Sequence, residues 1–204
     1  QPERSLSEAI AADFLSSKND ILIGAGASAF TNRTDKNNLL VDLEHNGYSV
    51  SETFSSIDTI KNTKYVIVDN ATGKSKNQGR TDFLLKSLQR SIASCTKDHT
   101  PFFIMAEGAQ IDDGGHDNDM QFMVRELLDF DQAVGEAMKF IDRNKETLLI
   151  VTADHETGGL TLLGGDISNG FVHGNFSTND HTAVMVPVFT YGPGAEMFRG
   201  VYQN

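Results

Sequence analysis

The sequence predicts an α/β fold, a three-layer α/β/α sandwich around a mostly parallel sheet. Helical and extended segments alternate along the 204 residues, which is typical of strands connected by helices. Two apolar runs, 102–106 and 147–152, have the length expected of strands that are covered on both faces. Polar residues follow each run directly, and the carboxyl ends of strands are where open α/β sheets bind their ligands.

The first half of the chain predicts helices and strands with one polar loop. Ile10 and Phe14 lie one helical turn apart, which predicts an amphipathic first helix. Asn46-Gly47 is a stop signal for the second helix. The helices are expected at 5–15, 38–45 and 81–94, the strands at 20–23, 48–50 and 65–68, and an exposed loop at 70–78.

The second half predicts a long helix between the two apolar strands. It covers residues 120–143, because apolar side chains recur there at steps of three and four residues. These side chains are Met123, Leu127, Phe130, Val134, Ala137 and Ile141. A last strand is expected at 184–190. We predict one domain over residues 1–204, with the glycine-containing stretch 164–180 as a surface excursion.

Composition excludes several classes of protein. Lys and Arg total 17 and Asp and Glu total 28, so the net charge is −11. A nucleic-acid partner is therefore not expected, because such surfaces are basic. No run approaches the roughly 18 apolar residues of a membrane span. The single cysteine, Cys95, excludes an internal disulfide and a thiolate zinc site.

Carboxylates and imidazoles collect in three segments, 107–116, 154–159 and 180–182. Each segment alone has an ordinary explanation, such as a helix cap for Asp112 or loop polarity for Asp154. Their recurrence near strand ends, bordered by glycines, favours a divalent metal site. Carboxylate oxygen and neutral imidazole nitrogen suit zinc, whereas a site of oxygen ligands alone suits magnesium.

The same segments resemble the metal-binding motifs of the alkaline phosphatase family. The matching strings are 105–112 followed by His116, 152–159, and His181-Thr182 followed by 186–188 and 192–195. The resemblance runs from about residue 1 to the C-terminus and implies the C-terminal portion of such a phosphatase. It implies that the N-terminal segment with the serine nucleophile is missing, so we expect a sheet that is incomplete at its N-terminal side.

The resemblance also implies two zinc sites, one magnesium site and a phosphate-binding arginine. Glu107 would be the magnesium carboxylate, and Arg4 would bind two phosphate oxygens through its planar guanidinium. The implied zinc ligands are Asp112, His116 and His181 at the first site and Asp154 and His155 at the second.

Asp113 departs from the family pattern, in which the residue after the first aspartate ligand varies between basic, aromatic and other types. A carboxylate at this position would repel a phosphate or attract an additional cation. We therefore expect Asp113 to tune the magnesium dependence and the pH optimum.

The implied activity is hydrolysis of small phosphate monoesters to inorganic phosphate through a phosphoserine intermediate. Because the implied nucleophile lies outside these 204 residues, the chain alone is expected to be inactive. Two alternatives stay open: a two-metal phosphodiesterase or phosphomutase of the same fold superfamily, and a non-catalytic metal-binding domain. The resemblance further implies a homodimer and a periplasmic or extracellular location.

Overall fold

The computed structural model describes residue 3 and residues 5–203, which form two compact units. The first unit comprises residues up to 74 and 78–105, and the second comprises 75–77 and 106–204. The elements of the first unit are α1 (Ser7–Ser16), β1 (Ile21–Gly24), α2 (Ser28–Thr31), α3 (Leu39–His45), β2 (Ser49–Ser51), β3 (Tyr65–Val68) and α4 (Phe83–Cys95).

The first unit contains a three-stranded parallel sheet with β3 between β1 and β2. The side chains of β3 alternate between two apolar clusters, as the period of a strand requires. Val66 and Val68 belong to the cluster that includes residues of α1, α2 and α3, whereas Tyr65 and Ile67 pack with Ile57. The prediction of an α/β fold with parallel strands is therefore confirmed for this unit.

The helix α1 forms as predicted, but it buries a different face. Ala11 is 4% exposed, whereas Ile10 is 45% exposed. Phe14 is part of the buried face and lies against the ring of Tyr48, with the ring centroids 6.1 Å apart. Small Ala11 and the aromatic ring of Phe14, rather than Ile10, therefore make the contact with the core.

The segment 70–78, predicted as an exposed loop, contains two short 3₁₀ turns. Most of the segment is exposed as predicted, but Thr72 and Ser75 are buried. Asn70 accounts for part of the order, because its side-chain oxygen accepts hydrogen bonds from the backbone N–H groups of Gly26 and Ala27 at 3.1 and 3.2 Å. The side chain of Asn70 thus satisfies two backbone groups although the residue itself is exposed.

The second unit is built around one long helix and three short antiparallel strand pairs. Its strand pairs are β4 with β9, β5 with β8, and β6 with β7. Its elements are α5 (Gln110–His116), α6 (Met120–Asn144), β4 (Leu149–Val151), β5 (Glu156–Thr157), β6 (Thr161–Asp166), β7 (Phe171–Asn175), β8 (His181–Thr182) and β9 (Phe189–Tyr191).

The parallel sheet is thus smaller than the sequence predicted. The strand expected at 147–152 forms as the shorter β4. The strand expected at 184–190 is displaced towards the C-terminus and covers only Phe189–Tyr191 as β9, which pairs antiparallel with β4. The run 102–106 belongs to no strand of the described chain, and Phe103 is 89% exposed. An apolar run becomes a strand only where a neighbouring strand supplies hydrogen-bonding partners, and sequence periodicity does not report such a neighbour.

The N-cap of helix α6 is Asp119, whose side chain accepts hydrogen bonds from the backbone N–H groups of Gln121 and Phe122. Its buried face includes Ala137 and Ile141 of the predicted apolar stripe. It departs from that stripe further towards the N-terminus, where Leu127 is 49% exposed and Glu126 and Asp129 are 2% and 3% exposed. One residue from the segment 75–77 contacts both buried carboxylates. Lys76 lies 2.9 Å from Asp129 through Nζ, and its backbone N–H donates to Glu126.

The hairpin β6–β7 covers much of the stretch 164–180, and β6 is exposed along its whole length. Among the described residues, no helix combines the length and the apolar character that crossing a bilayer requires.

A hydrogen bond between β9 and α6 gives the second unit a stability that depends on pH. The Tyr191 hydroxyl donates to the Asp142 carboxylate at 2.6 Å, and this bond raises the pKa of Tyr191 above its ordinary value. Because the folded pKa is the higher one, the contribution is complete below about pH 10 and is lost as pH rises through the folded pKa. We expect Tyr191→Phe to lower Tm at pH 8 and to differ less from the native chain above about pH 11. A difference in Tm that stays constant across this range contradicts the prediction.

Candidate metal centre

The short helix α5 carries two of the predicted ligands on one face. Asp112 and His116 are separated by one helical turn, so their side chains are neighbours. Glycines bring α5 close to its surroundings: a Cβ at Gly114 would lie 2.8 Å from backbone atoms of Met123 in α6. A Cβ at Gly115 would lie 2.9 Å from Thr157. Side chains at these two positions would therefore move α5 away from α6 and β5.

The strand pair β5–β8 brings the other two segments together. His181 is the register partner of Thr157, and His155 lies immediately before β5. The backbone N–H of Gly158 donates to the carbonyl of Asp180 at 3.0 Å, which extends the pairing beyond the two strands. Residues that are far apart in sequence thus meet beside α5.

The Asp112 carboxylate lies at the centre of the group. Its Oδ2 lies 3.3 Å from His116 Nε2, and its Oδ1 lies 3.7 Å from His181 Nε2 and 4.0 Å from His155 Nδ1. His116 Nε2 and His181 Nε2 are 3.2 Å apart. One carboxylate therefore faces imidazole nitrogens from each of the three predicted motifs.

The ligand atoms of Asp112, His155 and His181 lie within 4.8 Å of one another, a spacing that a single metal ion could bridge. Asp154 joins the group through His155, since its Oδ2 lies 3.3 Å from His155 Nε2. The side chain of Asp154 is 87% exposed, whereas that of Asp112 is 32% exposed. The centre is therefore open to solvent on the side of Asp154.

Two predicted site residues of the described chain are not part of this group. Glu107 is exposed and lies outside the set of closely spaced ligand atoms. Asp113 is also exposed, on α5 next to Asp112. Arg4 lies outside the residues that the structure describes.

The electrostatics of the group favour cation binding at alkaline pH. The carbonyl of Asn179 is 2.8 Å from His116 Nδ1, and this hydrogen bond raises the pKa of His116 above its ordinary value. Partial burial lowers that pKa, and the negative charges of Asp112, Asp180 and Asp113 raise it again. A divalent ion needs the neutral imidazole, so binding is expected to weaken as pH falls and His116 gains a proton.

Sequence reasoning missed the polar residues that hold the ligands. The Thr157 hydroxyl donates to Asp112 Oδ1, and the Asn179 carbonyl orients His116. Glu156 accepts hydrogen bonds from the backbone N–H groups of Gly159 and Leu160 and from the hydroxyl of Thr182. A hydroxyl residue two positions after His155 was the available signal for Thr157, but its orientation depends on tertiary contacts.

The donor set suits a transition-metal ion. It combines imidazole nitrogens with carboxylate oxygens and contains no thiolate, which is the composition of many catalytic zinc sites. The second ring nitrogens of His116 and His155 have partners in the Asn179 carbonyl and the Thr157 hydroxyl. Metal-binding histidines usually have such partners, so the residues present fit a zinc centre.

Comparison with known proteins finds alkaline phosphatases that are similar to this chain in sequence and in structure. A relative in Bacillus subtilis, alkaline phosphatase 4, is 28% identical over 257 aligned positions, covering 92% of this chain and 55% of the relative. The structure of alkaline phosphatase from the Antarctic bacterium TAB5 superimposes with a TM-score of 0.90 at 37% identity, covering 98% of this chain and 62% of that one.

A variant of the TAB5 enzyme matches with a TM-score of 0.89 at 38% identity over 98% of this chain and 62% of that one, and it has Mg bound in the M3 site. The chain thus spans only 55% to 62% of the length of these relatives. The model of the alkaline phosphatase family matches residues 3–175. Since that match covers most of the sequence, the chain belongs to the alkaline phosphatase family.

Proposed function

We propose that the protein containing this chain hydrolyses phosphate monoesters through a phosphoserine intermediate. The observation that carries the proposal is the contact of the Asp112 carboxylate with imidazoles from three separate segments. Membership of the alkaline phosphatase family gives the reaction class. The serine would come from a segment outside these 204 residues, so we propose that the chain alone is inactive.

Two zinc sites are proposed for the group around Asp112. Asp112, His116 and His181 would hold the first ion, which the approach of both Nε2 atoms to each other and to the carboxylate supports. Asp154 and His155 would contribute to the second. When bound, two such ions supply positive charge to the attacking and leaving oxygens of an in-line displacement.

The roles of the remaining site residues are proposed from the motifs of the family. Glu107 would supply a magnesium ligand from the segment that leads into α5. Arg4 would bind phosphate oxygens through two parallel hydrogen bonds, a geometry that lysine lacks. Asp113 would tune magnesium dependence and pH optimum, since its exposed carboxylate adds negative charge beside His116.

Other features of the whole protein follow from the same proposal. We propose one alkaline-phosphatase-like domain over residues 1–204 and a three-layer sandwich in which the small parallel sheet is one part. A homodimer and a periplasmic or extracellular location are proposed from the family alone. Small phosphate esters and inorganic phosphate are the proposed ligands.

Turnover of a monoester and a diester tests the function. A zinc-loaded protein that joins these residues to a preceding nucleophile-bearing segment should hydrolyse p-nitrophenyl phosphate much faster than bis(p-nitrophenyl) phosphate. The chain alone should bind zinc without turnover, because the implied nucleophile is absent from it.

Each other outcome favours a specific alternative. Faster cleavage of the diester favours a phosphodiesterase. Transfer of phosphate to a second hydroxyl of the same molecule favours a phosphomutase. Zinc binding by the joined protein without turnover of any ester favours a non-catalytic metal-binding domain, and no stoichiometric zinc binding contradicts the proposed centre.

A further inference from the structure

Thr157 lies between the two groups of proposed zinc ligands and belongs to neither. Its side chain is buried, and the residue is 7% exposed. Its hydroxyl donates a hydrogen bond to Asp112 Oδ1. The hydroxyl oxygen of Thr157 lies 3.2 Å from His155 Nδ1. One buried hydroxyl thus contacts a ligand of each proposed site.

The chemistry of a hydroxyl fixes the direction of this chain of hydrogen bonds. A threonine hydroxyl has one proton, and here it is given to the Asp112 carboxylate, which can only accept. The contact with His155 therefore requires Nδ1–H to donate to the hydroxyl oxygen. The lone pair of a neutral His155 would then be on Nε2, on the same side as Asp154 Oδ2 at 3.3 Å, an arrangement that needs a cation between the two because the carboxylate can only accept.

The position of Thr157 is itself fixed by packing. A Cβ on Gly115 would lie 2.9 Å from Thr157 Cβ and Cγ2, so only glycine leaves room for this side chain against α5. Threonine has few accessible χ1 rotamers, and its methyl group against Gly115 leaves the hydroxyl directed towards Asp112.

We infer that Thr157 is a positioning residue that assigns Asp112 and His155 to different metal ions. It would hold Asp112 for the first zinc and keep His155 in the tautomer whose Nε2 faces Asp154 and the second zinc. The inference rests on the proposed two-zinc function. Without the hydroxyl, Nδ1 of His155, which lies 4.0 Å from Asp112 Oδ1, becomes available to the same ion as Asp112 and His181.

Two measurements on the native chain and its variants test this role. The first is the ring nitrogen of His155 that carries the proton, read from ¹⁵N chemical shifts of the zinc-loaded protein, in which zinc rather than a proton would lie between Nε2 and Asp154. We expect Nδ1–H in the native chain and in Thr157→Ser, and a mixture or the opposite tautomer in Thr157→Val.

The second measurement is calorimetric titration with zinc. Thr157→Val should lose about 10- to 100-fold in affinity at one or both sites, as is typical when the partner of a metal ligand is removed. Thr157→Ser should recover most of that loss. Thr190→Val is the matched control, because its hydroxyl donates to the carbonyl of Ala195 in a different part of the unit. It should bind zinc as the native chain does.

The outcomes separate this inference from the proposed function. An unchanged His155 tautomer in Thr157→Val overturns the inference, even if zinc binds. Failure of the native chain to bind zinc overturns the proposed function itself. Equal losses of zinc affinity in Thr157→Val and Thr190→Val indicate general destabilisation and also overturn the inference.

Discussion

Asp112→Asn is expected to cause the largest loss of zinc affinity of any single substitution in this chain. The carboxylate faces His116, His155 and His181 at 3.3 to 4.0 Å, so its negative charge serves every imidazole of the group. The amide keeps the shape of the side chain and removes the charge. The loss should exceed the roughly 10- to 100-fold that is typical of a residue that only supports a ligand.

The matched control is Asp117→Asn, at the end of the same helix. Asp117 is exposed, and among the described residues it does not belong to the group of closely spaced ligand atoms. Both variants change the net charge equally, so a difference in zinc affinity between them isolates the position of Asp112. Zinc titration measures the affinities, and thermal unfolding of the metal-free proteins verifies that both fold. A loss in Asp112→Asn no greater than that in Asp117→Asn would contradict the central place of Asp112.

The parallel sheet and the helices around it could be predicted because their signals are local. The four residues of β3 form a continuous apolar run, and all of them are buried in the centre of the sheet. The stop signal Asn46-Gly47 likewise ends α3 where expected, with Gly47 at a φ of +87° that favours glycine. Patterns that depend on neighbouring residues were therefore informative.

The buried carboxylates of α6 could not be predicted, because their partner is distant in sequence. Periodicity placed Ala137 and Ile141 in the core, where the structure also has them, but it placed Leu127 there as well. The structure buries Glu126 and Asp129, since Lys76 supplies an ammonium group and a backbone N–H to them. A buried carboxylate is stable only with such partners, and no local pattern reveals them.

In the candidate site as well, a contact between residues close in sequence could be predicted, whereas contacts between distant segments could not. The approach of Asp112 to His116 could be predicted from helical spacing, and the likeness of the motifs led to the remaining histidines. The supporting contacts of Thr157 and Asn179 could not, because they depend on the pairing of β5 with β8 and on the segment that precedes β8. Sequence thus identified the candidate ligands, whereas the contacts that orient them required the structure.

Gly158→Ala is expected to damage both stability and metal binding, because Gly158 joins two ligand-bearing segments. Its φ of +92° is unfavourable for other residues. A Cβ there would lie 2.7 Å from the ring of Phe176 and 3.0 Å from the backbone oxygen of Gly115. Strain costs about 1–3 kcal/mol and overpacking about 1–3 kcal/mol, so we expect a loss of roughly 2–6 kcal/mol in unfolding free energy.

Gly170→Ala separates these two causes. Gly170 also has a positive φ, +62°, but a Cβ there would meet no atom within 4 Å. It should therefore show the cost of strain without that of overpacking, and it should leave zinc affinity unchanged because it lies in the hairpin turn. In Gly158→Ala the displaced turn loosens the hydrogen bond to Asp180, which immediately precedes His181, and zinc affinity should fall about tenfold or more. Chemical unfolding and zinc titration of both variants measure these effects, and equal behaviour of the two would show that the close contacts of Gly158 do not support the centre.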